Sequence, residues 1–221
     1  MPLGIFIIRN FLEPFSYLVY ALAFYLKARR GRLGLDWLLL AYYLAGAALL
    51  TAANFLVLHP LPDMLNDWMY NVVYFLTICV LSWYFLHLLT GRWKKLFLVV
   101  ALIVNTLIFF VYELLLGHFL NDYNSIVYAI SFICIVIYSF LYFSQLLGNV
   151  TEKSITREFD FWLVSGYLLY FLGAFIIILL YRTVPFAVTG DVWVLQNVIL
   201  FIGSLITLTG YLNTSGRRRF F

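Results

Sequence analysis

Seven runs of roughly 20 predominantly apolar residues follow one another along this chain, and that pattern restricts the fold more than any motif in it. At a rise of about 1.5 Å per residue, each run makes a helix long enough to cross a hydrocarbon core of about 30 Å. The expected helices are 5–26, 37–58, 68–89, 96–116, 126–147, 161–181 and 192–212. Membrane strands do not fit, because they need only about ten residues each and alternate in polarity, which none of these runs sustains. Hydrophobic residues make up 65% of the chain and charged residues 11%, against about 25% charged in a soluble domain. Lipid, rather than one globular core, must cover so much apolar surface. The connections are too short to fold alone, so the expectation is a single all-α domain, 1–221, a polytopic seven-transmembrane-helix bundle. Glu13 and Pro14 interrupt the first run, which reads as a retained helix and not as a cleaved signal peptide.

Orientation follows from the basic residues. Lys27, Arg29, Arg30 and Arg32 sit in the first connection, Arg92, Lys94 and Lys95 in the third, Lys153 and Arg157 in the fifth, and Arg217, Arg218 and Arg219 in the tail. These are 12 of the 14 Lys and Arg, and they all fall on one side. The positive-inside rule makes that side cytoplasmic, so the expected topology is N-out, C-in. Asp63, Asp67, Asp122 and Asp191 lie on the other side. The net charge of +4 is thus a topology signal, and no nucleic-acid partner is expected. Trp37, Trp68, Trp93, Trp162 and Trp193 fall at run ends, where indole rings suit the headgroup level.

Polar residues inside the runs carry what functional signal there is, since an ionisable group at the bilayer centre costs roughly 2.5–3.5 kcal/mol on insertion scales. Glu13 lies about 20 Å from the cytoplasmic edge of its helix. Arg9 stands one turn before it, within pairing reach. Pro14 has no N–H and so leaves the Asn10 carbonyl without its helical donor. Asn54, Asn71, Glu113, Gln196 and Asn197 also fall in outer halves, and with Arg9 and Glu13 they form the candidate ligand pocket. Asn105 is the strongly polar residue nearest the midplane. His59, Asp63, Glu113, His118 and Asp122 lack any zinc-ligand spacing, so no metal or other cofactor is expected. Cys79 and Cys134 read as small core residues.

Retinal proteins, G-protein-coupled receptors and the sugar-carrier and KDEL-receptor group share the helix number, but their defining motifs are missing here. The stretches Asn66-Asp67-Trp68-Met69-Tyr70-Asn71-Val72-Val73-Tyr74, Tyr142-Phe143-Ser144-Gln145-Leu146-Leu147 and Phe161-Trp162-Leu163-Val164-Ser165-Gly166, running on to Tyr170-Phe171-Leu172-Gly173, are similar to a family of small, uncharacterised seven-helix inner-membrane proteins of Bacteroidetes-type bacteria. That family usually has Asn where this chain has Ala174. The resemblance implies the fold and a bacterial inner-membrane location, and it implies no activity.

The functional expectation is a membrane-embedded sensor or binding protein, whose small ligand or lipid enters from the outer side while the basic loops dock a cytoplasmic protein partner. The alternative is a small secondary transporter of three-plus-one-plus-three design. It is raised by Trp37-Leu38 with Tyr42 and Leu44, which match Trp162-Leu163 with Tyr167 and Leu169 at identical spacing. An intramembrane enzyme comes third, for want of a nucleophile, base and metal set.

Overall fold

In the computed structural model the described residues, 3–29, 34–57, 63–111, 125–148, 155–181 and 189–216, are helical with no strand among them. Seven helices follow in order: α1 Leu3–Ala28, α2 Gly34–Val57, α3 Asp63–Leu88, α4 Arg92–Phe109, α5 Ser125–Gly148, α6 Phe159–Tyr181 and α7 Thr189–Gly216. A single 3₁₀ turn, Ile155–Arg157, precedes α6. Most helices begin a few residues before the apolar run does. The added turns take in polar residues such as Asp36 and Asp160, which hydropathy assigns to loops but which suit the positive end of a helix dipole.

Five of the helices, α2, α3, α5, α6 and α7, are long and apolar enough to cross a membrane, as expected of an integral membrane protein. α1 carries Arg9, Glu13 and Lys27, and α4 opens on Arg92-Trp93-Lys94-Lys95.

The packing is a ring. α1 contacts α2 and α7, α2 contacts α3, α3 contacts α5, α5 contacts α6, and α6 contacts α7. α4 stands outside, against α3 and α5. It buries Leu98, Asn105 and Phe109 and exposes Leu96, Val100, Ile103 and Leu107. The Ser131 hydroxyl of α5 lies 2.9 Å from the Asn105 side-chain oxygen and 2.9 Å from the Val127 carbonyl, and by sharing its proton between them it ties this outer helix to the ring.

The ring turns its polar side chains and most of its tyrosines inward and apolar side chains outward. On α1, Phe11, Phe15, Leu18 and Leu22 are exposed, while Glu13, Tyr17, Tyr20 and Phe24 are buried. Steps of four and three residues put the buried set, and Lys27 after it, on one face. Such an arrangement suits a lipid solvent, in which exposed aliphatics cost nothing and hydroxyls need internal partners. α6 and α7 approach each other closely. A Cβ on Gly166 would lie 2.5 Å from the Gly203 carbonyl oxygen, so a side chain there would force the helices apart.

Candidate functional site

Two polar clusters cap an aromatic middle layer. The first, near the N-terminal end of α1, begins with a local defect. Pro14 lies inside α1 and cannot donate to the Asn10 carbonyl. The Asn54 amide of α2 supplies the missing donor, with Nδ2 2.5 Å from that oxygen. The Tyr70 hydroxyl of α3 then donates to Asn54 Oδ1 at 3.1 Å and lies 3.5 Å from Glu13 Oε2. A hydroxyl has one proton, and the shorter contact takes most of it. Glu13 is only 2% exposed, so its carboxylate is left with a weak, shared hydrogen bond and no cation among the described residues.

α7 closes this cluster. Gln196 donates to the Tyr170 hydroxyl and Asn197 to the Ile8 carbonyl, both at 3.4 Å. The Gln196 side-chain oxygen meets no donor among the described residues. Trp193 packs edge-on against Tyr70, ring centroids 5.6 Å apart. Glu13, Asn54, Asn71, Gln196 and Asn197, expected to line a ligand pocket opening to the outer side, are all buried. The other expected site residues, the Arg9 side chain and Glu113, lie outside the described residues, and with them the Arg9–Glu13 pair.

Below lies a tyrosine layer that composition alone did not locate. Thr77 spends its hydroxyl proton on the Val73 carbonyl at 2.7 Å, so Tyr42, 2.5 Å from Thr77 Oγ1, must be the donor there. Tyr17, 3.4 Å from the Tyr42 oxygen, then donates to it. Tyr43 donates to Tyr167 at 2.6 Å and stacks on Tyr20 at 4.7 Å. These rings, with Tyr170 and Leu200, enclose a cavity of about 10 Å³, the size of one water.

The second cluster closes the end where the basic residues lie. Lys27 Nζ sits 3.1 Å from Asp36 Oδ1 and 3.2 Å from Asp160 Oδ1, and 4.6 Å over the Phe159 ring. Tyr84 donates to the same Asp160 oxygen at 2.6 Å. One cation and two carboxylates leave a net negative charge, and Asp36 is 2% exposed. Sequence reading missed this site because it took Lys27 for a topology marker and both aspartates for loop residues. The available signal was position: each aspartate directly precedes an aromatic residue at the start of an apolar run, Trp37 or Phe161.

No protein-family model matches this chain, and neither does any curated protein or solved structure. The reading of function therefore rests on these side chains.

Proposed function

We propose that this chain is a seven-span membrane protein, N-terminus outside and C-terminus cytoplasmic, that binds a small ligand in the outer half of its helix ring. The observation that carries the reading is Glu13, a carboxyl group buried among helices that meets, among the described residues, only a shared tyrosine hydroxyl at 3.5 Å. An ionised group held that way is costly unless something compensates it. A cationic or N–H-donating group on a ligand would do so, with Asn54, Tyr70 and Gln196 offering further hydrogen bonds nearby. The short basic loops then suit a cytoplasmic protein partner, and the family likeness suits a bacterial inner membrane.

Native mass spectrometry of the purified protein tests the proposal. Wild type should retain a small adduct that Glu13→Gln lacks, while the variant keeps the wild-type melting temperature because the neutral amide fits the same space. Adduct retention by the variant, or no adduct on either protein, overturns this reading.

A further inference from the structure

The three-plus-one-plus-three pattern has a structural counterpart. Five pairs of residues 125 apart are identical at one constant offset: Tyr17 with Tyr142, Trp37 with Trp162, Tyr42 with Tyr167, Pro60 with Pro185 and Trp68 with Trp193. Helix boundaries keep the same offset. Moving α2 forward by 125 gives 159–182, against Phe159–Tyr181 for α6, and moving α3 gives 188–213, against Thr189–Gly216 for α7. α1 moves to 128–153, overlapping α5 at Ser125–Gly148.

The ring obeys the same operation. Its order, α1, α2, α3, α5, α6, α7, maps onto itself when each helix is replaced by the one 125 residues away. Helix directions agree as well. α7 runs parallel to α1, as Ile8 with Asn197 and Leu26 with Tyr211 require. The corresponding pair, α3 and α5, is also parallel, as Tyr74 with Tyr128 and Phe85 with Tyr138 require. Two three-helix units therefore stand side by side about an axis along the bundle, with α4 as the linker outside them.

Chemistry breaks this symmetry. The positions equivalent to Glu13, Asp36 and Asn54 are Tyr138, Phe161 and Leu179, so these polar groups of the first unit have no counterpart of the same chemistry in the second. Within the basic-end cluster, Lys27, Asp36 and Tyr84 all belong to that unit. Asp160 alone comes from the other, and it takes both the Lys27 ammonium and the Tyr84 hydroxyl across the seam. Elsewhere the units meet through rings, through the Tyr43–Tyr167 hydrogen bond and through the pairing of α1 with α7, where Tyr211 donates to the Leu26 carbonyl. Gln145 of α5 also reaches across, donating to the Leu88 carbonyl and accepting from the Thr90 N–H, so the latch works beside neutral hydrogen bonds and is, among the described residues, the charged contact of the seam.

We infer that the units pivot against each other with Asp160 as the latch that shuts the basic end, so that the ligand held at Glu13 is carried through the membrane. The cargo rests on the binding reading above; the motion does not. An ion pair suits a latch, since water entering an opened seam solvates its charges and offsets their separation.

Pulsed dipolar spectroscopy between spin labels tests this, on a background with Cys79→Ala and Cys134→Ala. Labels at His87→Cys and Asn213→Cys, on α3 and α7, report distance between the units at the basic end. Labels at Arg29→Cys and His87→Cys report distance within the first unit. Asp160→Asn should add a longer-distance population to the first pair and leave the second unchanged. An unchanged first pair overturns the latch, and so does equal lengthening of both, which would mean that the cluster only holds the fold. Should Asp160→Asn fail to fold, Tyr84→Phe removes one of the two contacts and should produce a smaller population of the same kind, its absence again overturning the proposal. Because this readout needs no ligand, a working latch with no adduct in mass spectrometry would refute the cargo alone.

Discussion

Pro14 and Asn54 should behave as one unit in a double-mutant cycle. Asn54→Leu removes two hydrogen bonds, but Tyr70, freed from Asn54, can give its proton fully to Glu13 3.5 Å away. What the Asn10 carbonyl loses is the Asn54 amide, and Pro14 has already deprived it of its helical donor. Losing one buried hydrogen bond costs about 0.5–1.5 kcal/mol in proteins generally, and interhelical bonds in membranes fall in the same range, so the loss should be about 1 kcal/mol. Pro14→Ala restores the N–H at position 14 and lets α1 satisfy Asn10 by itself. In that background Asn54→Leu should cost close to nothing, giving a coupling of about 1 kcal/mol. Equilibrium unfolding by sodium dodecyl sulfate in mixed micelles measures all four proteins. Equal costs for Asn54→Leu in the two backgrounds would refute the argument, because the amide would then be serving something other than the proline's missing donor.

Lys27→Met should destabilise more than Asp36→Asn in the same unfolding assay, by about 1–3 kcal/mol, since it leaves two carboxylates facing each other while the aspartate variant leaves Lys27 paired with Asp160; the reverse order would refute a cluster of one cation between two carboxylates. For topology, single cysteines in 60–66 and 183–190 should react with a membrane-impermeant maleimide from outside intact cells, and those in 28–34 and 150–158 should not. Reaction of both sets from the same face would remove the N-out assignment.

The helix number and approximate positions were legible because lipid imposes a one-dimensional requirement. Any span needs about 20 apolar residues in sequence, so its signal is local. Polar positions were legible for the same reason: Glu13, Asn54, Asn71, Gln196 and Asn197 stand out against their apolar neighbours, and all five are buried. The proline defect at Asn10 was readable too, because a missing N–H acts four residues back along the same helix.

What fills that defect was not readable, because Asn54 is 44 residues away from Asn10 and no local rule links them. Partner choice depends on helix rotation and ring order, which hydropathy does not encode when both faces of a helix are apolar. The same holds for Lys27, whose spacing along the chain marks a side of the membrane, while only the order of helices in the ring brings its ammonium between Asp36 of α2 and Asp160 of α6. Sequence by itself determined which segments become helices and which of their residues are too polar for lipid, since both follow from the solvent. Tertiary structure decided which of those residues meet, because interhelical contacts in a bilayer are chosen by shape and hydrogen bonding between distant segments, with no water to drive them.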